Sequence, residues 1–177
     1  MNDNIDFRLP IYDVDISDND LGLTAVSLVE RPAIKTDFVY FKEEKTPIYL
    51  DEEQHNIIGA LLIPNQLIYR IGQNGEQFYI RWTKDAIEQS AIKFICDGLW
   101  DNVSLFHNGE QIDGVDLLRL WITESEDDEI NTHFGFNLPI GSLCAMYHIE
   151  NEDIWRMIKQ GEIKGFSIEA FANLILK

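Results

Sequence analysis

Apolar and β-branched residues along this chain fall mainly into short runs that turn residues separate. Such runs predict β-strands, because strands carry this composition and are bounded by Gly, Pro, Asn and Asp. The run at 57–63 is apolar throughout, which is typical of a strand buried on both faces. The other predicted strands are 23–29, 67–71, 77–82, 103–107, 115–123, 142–149 and 166–176, and 38–41 is a short extended run.

Two segments show the spacing of amphipathic helices instead. Thr83 is placed to cap the start of the first helix, and Gly98 ends it as the residue after the C-cap. The second helix is predicted at 152–160 and stops at Gly161. The side chains that we expect it to bury are Ile154, Trp155 and Ile158.

Roughly seven or eight strands and two helices give the chain an α+β character. Its 177 residues suit a single domain, and a chain of this length buries roughly 70% of its unfolded surface. Long strand runs favour a curved sheet or a barrel with helices packed outside. We therefore predict one domain over 1–177, built as a small closed or curved antiparallel-rich β-barrel with about two flanking helices.

The charge balance is strongly acidic, since 31 Asp and Glu stand against 14 Lys and Arg and the formal net charge is −17. Binding to nucleic acid or to an anionic membrane surface needs a basic face, so we expect neither partner. A partner with basic segments remains open. No apolar run approaches the ~18 residues of a membrane span and the N-terminus is polar, so we expect a cytosolic protein. In that compartment we expect Cys96 and Cys144 to be two buried, free thiols.

Two acidic segments need an interpretation. Residues 1–20 alternate Asp with apolar residues but lack the central Gly and terminal Glu of an EF-hand loop, so we predict a solvated arm. Residues 124–132 carry five carboxylates and are predicted to form an exposed, mobile loop. Three of these carboxylates, Asp127, Asp128 and Glu129, could be drawn with His133 as a metal site, but no rigid element carries them, and we predict no metal.

Candidate catalytic residues are few, because the metalloprotease, C-x-x-C, Walker and dinucleotide motifs are absent from the sequence. His107 differs from the other histidines, since period-two alternation places it on one strand face with Val103 and Leu105. On these residues alone, a hydrogen-bonded core histidine is the more ordinary interpretation. Ser167 shares a strand face with Glu169, but it does not lie in a G-x-S-x-G elbow, which excludes an α/β-hydrolase.

Three segments, taken in order, resemble the prohead (capsid maturation) serine proteases of tailed phages. The first is Asn102-Val-Ser-Leu-Phe-His107, which 112–115 and 121–124 follow. The second spans 149–165, and the third is Phe166-Ser-Ile-Glu169. In that family the histidine of the first segment is the general base and the serine of the third is the nucleophile. The resemblance therefore implies catalytic roles for His107 and Ser167, and it implies the herpesvirus-assemblin fold, a small barrel with surrounding helices.

A fourth segment, Ala25-Val-Ser-Leu-Val29 followed by Pro32-Ala33, resembles a strand motif that lies after the nucleophile in the common branch of that family. Here it precedes both candidate catalytic residues, so the chain resembles a circularly permuted branch. The common branch carries an acid at the start of this strand, where this chain has Ala25. Another residue must then orient the histidine for full activity. The candidates, which the sequence does not rank, are Glu169, Glu124, Glu30 and His148.

The resemblance implies a serine endopeptidase that acts in the host cytoplasm, inside the procapsid. Its implied substrates are the scaffold and the N-terminal part of the major capsid protein. We expect no cofactor, and a homo-oligomer remains open. The alternative, which the alanine at position 25 motivates, is a non-catalytic capsid- or scaffold-associated protein that retains the protease fold. An unrelated acidic interaction module is the third interpretation.

Overall fold

The computed structural model describes residues 8–30 and 54–177, which form ten strands and three helices. The strands are β1 (Ile11–Asp15), β2 (Gly22–Val29), β3 (Asn56–Leu62), β4 (Ile68–Ile71), β5 (Gln77–Arg81), β6 (Val103–Leu105), β7 (Val115–Ile122), β8 (Leu143–Ile149), β9 (Gly165–Phe171) and β10 (Asn173–Leu176). The helices are α1 (Lys84–Cys96), α2 (Glu129–Thr132) and α3 (Glu152–Gln160). The extended run predicted at 38–41 lies outside the described residues.

The described strands form three small sheets, in the orders β10-β1-β5-β4, β6-β2-β9 and β3-β8-β7. Most neighbouring strands are antiparallel, whereas β1 with β5 and β2 with β6 are parallel. The α+β class is confirmed, but these strands do not close into the expected barrel. Closure of a barrel needs one continuous series of hydrogen-bonded strands. The run predicted as a single strand at 166–176 divides instead into β9 and β10, which belong to different sheets.

Strand β1 lies where we predicted a solvated acidic arm, and that prediction is wrong for Ile11–Asp15. Val14 belongs to the core. The Asp13 carboxylate accepts a hydrogen bond from Arg81 Nε at 2.6 Å and lies 3.2 Å from Lys177 Nζ. Because two cations balance this buried charge, an acidic segment can pair inside a sheet.

Both predicted helices are confirmed, and side-chain caps begin them. Thr83 Oγ1 accepts a hydrogen bond from the backbone N–H of Ala86 at the start of α1. Asn151 Oδ1 does the same for the first turn of α3, and Gly161 ends that helix in the left-handed region at φ 73°. A capping oxygen satisfies backbone donors that have no partner within the helix. The predicted buried residues of α3 are all buried, namely Ile154, Trp155 and Ile158.

One large hydrophobic core joins residues of all three sheets, α1 and α3, and a smaller cluster lies under α2. Ile130 is fully buried in that smaller cluster, and Asp128 Oδ1 caps α2 by accepting from the Ile130 N–H at 3.0 Å. Residues 124–127 are exposed as predicted. The prediction of a mobile loop over all of 124–132 is wrong for its second half, because one apolar side chain anchors it.

Candidate active site

One face of the β6-β2-β9 sheet carries a row of three serines. Ser27 on the central strand β2 pairs directly with Ser104 on β6 and with Ser167 on β9. Residues paired in this way point to the same face of a sheet, so the three hydroxyl groups lie side by side. All three side chains are buried. Strand β2 therefore lies directly beside the strand of the candidate nucleophile.

Glu169 lies on the same face, because it follows Ser167 by two residues along β9. Its Oε1 accepts a hydrogen bond from Ser104 Oγ at 2.9 Å and lies 3.2 Å from His107 Nδ1. Its direct partner on β2 is Ala25. Since Ser104 is on the far side of β2, the Glu169 side chain extends across that strand above the small Ala25 methyl group.

His107 reaches this carboxylate through a left-handed turn. Strand β6 ends at Leu105, and the next two residues have positive φ, 53° at Phe106 and 57° at His107. Each such non-glycine residue costs roughly 1–2 kcal/mol. The His107 N–H donates to Ser27 Oγ at 2.9 Å, which helps to hold the turn. The prediction that His107 shares a face with Val103 and Leu105 is therefore wrong, because the turn carries the imidazole over to the serine face.

This arrangement contains the parts of a nucleophile, a base and an orienting acid. With Nδ1 of His107 facing the Glu169 carboxylate, Nε2 is left to exchange a proton with a substrate or a nucleophile. The His107 side chain is 44% exposed and therefore accessible from solvent. Among residues 8–30 and 54–177, no hydrogen bond joins the Ser167 hydroxyl to His107. Such bonds are often long in unliganded enzymes and tighten only with substrate.

Residues 51–176 match the family described as "Putative phage serine protease XkdF". The chain belongs to this family. The match contains His107, Ser167 and Glu169, and it confirms the resemblance to phage serine proteases at the level of the family. Comparisons with curated proteins and with solved structures found no match.

The other candidate residues of this XkdF-family chain lie elsewhere. His148 Nδ1 contacts Asn56 Oδ1 at 2.9 Å between β8 and β3, and the His55 ring stacks on Trp155. Glu124 belongs to the exposed loop after β7. Of the four acids and histidines that the sequence left unranked as the orienting group, Glu169 is the one that contacts His107 within the described part of the chain.

Sequence reasoning missed Ser27 and Ser104, although both stand in segments that it had singled out. Alternation along each strand predicts which face a residue occupies, but not which strand lies opposite. Their roles appear only in the pairing of β2 with β6 and β9.

Among the described residues of the XkdF-family chain, no helix has the length and apolar character of a membrane span. The same residues contain no group of three or more His, Cys, Asp or Glu side chains that could hold a metal ion.

Proposed function

We propose that this XkdF-family protein is a serine endopeptidase in which Ser167 is the nucleophile, His107 the general base and Glu169 the orienting acid. The observation that carries the proposal is the 3.2 Å contact between His107 Nδ1 and Glu169 Oε1. It lies on the sheet face that also bears Ser167. A carboxylate at Nδ1 fixes the imidazole tautomer whose Nε2 can accept a proton, which is the geometry that serine proteases require.

In the proposed reaction, Ser167 Oγ attacks the scissile carbonyl carbon and its proton passes to His107 Nε2. The tetrahedral intermediate then collapses, the peptide C–N bond breaks, and the imidazolium gives its proton to the leaving amine. Water repeats the cycle on the acyl-enzyme and regenerates the hydroxyl group. Glu169 stabilises the imidazolium that forms in both halves of the reaction. Backbone N–H donors hold the oxyanion, each contributing roughly 3 kcal/mol.

The position of Glu169 also accounts for the alanine on β2 and supports the proposed circular permutation. In the common branch of the prohead proteases an acid occupies the position that aligns with Ala25. Here Glu169 lies directly opposite Ala25 in the antiparallel pair. Cβ atoms of directly opposed residues are about 4.5–5.5 Å apart. An acid can therefore approach the same imidazole from either strand.

We further propose that the enzyme acts in the host cytoplasm, inside the procapsid, on the scaffold and the N-terminal part of the major capsid protein. Membership of a phage serine protease family supports this role, together with the order of the motifs that resemble the prohead proteases. The net charge of −17 favours association with basic scaffold segments.

The decisive experiment is co-expression with the phage capsid and scaffold proteins, followed by mass spectrometry of the assembled particles. Wild type is compared with Ser167→Ala and with a matched control, Ser90→Ala. Ser90 is buried on α1 and its hydroxyl has no hydrogen-bond partner among the described residues. We expect the wild type and the control to shorten the substrates and Ser167→Ala to leave them intact. Normal processing by Ser167→Ala refutes the catalytic assignment.

A second candidate function is a non-catalytic capsid- or scaffold-associated protein that retains the protease fold. Two observations favour it: the acid is absent at Ala25, and no hydrogen bond joins Ser167 to His107 within the described residues. Substrates left uncut by wild type and Ser167→Ala alike, with the protein still present in the particles, support this candidate.

A further inference from the structure

A cavity of about 140 Å³ reaches the candidate nucleophile. Its volume corresponds to about five liquid water molecules, or one medium-sized side chain. Its lining is mostly apolar and comes from β1, β3, β4, β5, β9 and β10. The side chains that matter below are Ser167, Ile168, Leu61, Leu62, Ile68 and Arg70.

The cavity lies along the edges of two strands. Consecutive residues of a strand point to opposite faces, so both reach one cavity only where it borders the strand edge. This holds for Ser167 and Ile168 on β9, and β3, which supplies Leu61 and Leu62, is the edge strand of its own sheet. Strand β9 pairs with β2 on its other side. The cavity is therefore a recess at the free edge of the strand that carries Ser167, with room for one side chain.

Arg70 is the charged residue of this recess. It shares the inward face of β4 with the buried Ile68 and is partly buried itself. Its Nη1 donates to the backbone carbonyl of Tyr69 at 3.0 Å, and no carboxylate of the described residues lies within ion-pair distance. Burial lowers the pKa of the guanidinium from its usual value, although the group stays charged at neutral pH. Three other arginines each contact a carboxylate, namely Arg81, Arg119 and Arg156.

We propose that this recess binds an acidic side chain of the peptide substrate, a glutamate or aspartate close to the scissile bond, and that Arg70 recognises its carboxylate. The inference rests on the proposed protease function and names its substrate class. A partly desolvated guanidinium that contacts no carboxylate of the described residues gains most from a charge-assisted, bidentate partner, while the apolar lining accepts the methylene groups. The negative charges elsewhere on the protein weaken the binding of an acidic side chain only slightly, because salt screens charges beyond about 8 Å at physiological ionic strength.

The first test is cleavage-site profiling. The purified protein is incubated with a pool of synthetic peptides that contain every amino acid at each position, and the new termini are identified by mass spectrometry. We expect the Ser167-dependent sites of the wild type to be enriched in Glu or Asp at one fixed position, by about tenfold or more. Arg70→Gln should lose the enrichment, Arg70→Lys should retain part of it, and the surface variant Arg156→Gln should retain it fully. A wild type without acidic enrichment, or an Arg70→Gln variant that keeps it, overturns the inference.

The second test is independent of catalysis. Fluorescence anisotropy measures binding of matched peptides, with Glu or Gln at a single position, to the Ser167→Ala variant with and without Arg70→Gln. We expect the Glu peptide to bind about tenfold more tightly, and only when Arg70 is present. Equal binding of the two peptides overturns the inference. If the wild type cuts nothing but the Glu peptide still binds through Arg70, the protease function fails and the acidic-peptide site stands.

Discussion

Replacing Glu169 with glutamine tests the proposed orienting acid directly, since it removes one charge and keeps the shape. In the resting protein the contact to His107 is partly exposed, and such pairs contribute about 0.2–1 kcal/mol to stability. The free energy of unfolding should therefore change by less than about 1 kcal/mol. During catalysis the imidazole becomes an imidazolium beside this carboxylate. Unit charges about 4 Å apart attract by about 1 kcal/mol in water and about 4 kcal/mol near a protein surface.

At 1.36 kcal/mol per tenfold in rate, this range predicts that kcat falls between about fivefold and about a thousandfold. KM should stay nearly constant, because the interaction strengthens only after substrate has bound. The assay is steady-state cleavage of a peptide taken from the cleavage profile, with urea denaturation of the same samples. A folded Glu169→Gln variant whose kcat stays within twofold of wild type contradicts the orienting role.

A charge swap sharpens this test. Glu169→Ala removes the acid, and adding Ala25→Glu returns a carboxylate to the same face from the opposite strand. We expect the double variant to recover at least about tenfold in kcat over Glu169→Ala, since directly opposed Cβ atoms are about 4.5–5.5 Å apart. Ala25 is buried, so circular dichroism must first show that the double variant folds. No recovery in a folded double variant argues against the proposed equivalence of the two positions.

Three further predictions concern the surroundings of the site and the rest of the fold. Ser27→Ala removes the acceptor of the His107 N–H and should cost about 1–3 kcal/mol in urea denaturation, together with a loss of kcat; an unchanged urea midpoint contradicts it. Burial raises the pKa of Asp13, but hydrogen bonds and charges from its two cationic partners outweigh burial and leave the pKa below its ordinary value of 3.8. The stabilisation that this carboxylate contributes is therefore complete above pH 3.8 and is lost as the pH falls through the lowered pKa. In the Asp13→Asn variant, the urea midpoint should depend less on pH in this acidic range than it does in the wild type. Burial, together with the charge of Asp128, raises the pKa of the Cys144 thiol to about 12, whereas Cys96 is exposed; Ellman's reagent should modify one thiol in the native protein and the second only after unfolding.

The local elements of the fold could be predicted because their signals are contained in short stretches of sequence. Thr83 and Gly161 mark helix ends through capping and left-handed backbone, and the apolar run at 57–63 corresponds closely to β3. The residues Gly72-Gln73-Asn74-Gly75 favour a turn between the predicted strands 67–71 and 77–82, which the structure pairs as β4 and β5. These features need only the chemistry of neighbouring residues.

The failures have physical causes that a single sequence does not reveal. Phe106 and His107 adopt left-handed backbone conformations although neither is glycine. The alternating pattern of the sequence therefore predicts a strand that continues to His107, whereas β6 ends at Leu105. The acidic residues before β2 predict a solvent-exposed segment. In the structure, Asp13 instead forms ion pairs with Arg81 on β5 and with Lys177, which are both distant from it in sequence. Tertiary packing decides which strands pair, and a single sequence does not show it. The sequence therefore names Glu169 as one candidate for the orienting acid but does not select it.

The pairing of Ser27 with Ser167 has a consequence for when activity can arise. Their separation is 167 − 27 = 140 residues, so this contact closes a very long loop, whose entropy cost grows as (3/2)RT ln n. Folds dominated by such distant pairings form over milliseconds to seconds, well after local helices. During synthesis, β2 cannot pair with β9 until residues 165–171 have left the ribosome. A nascent chain that ends before β9 lacks the proposed nucleophile, and refolding should restore the helical signal before any hydrolysis of a peptide.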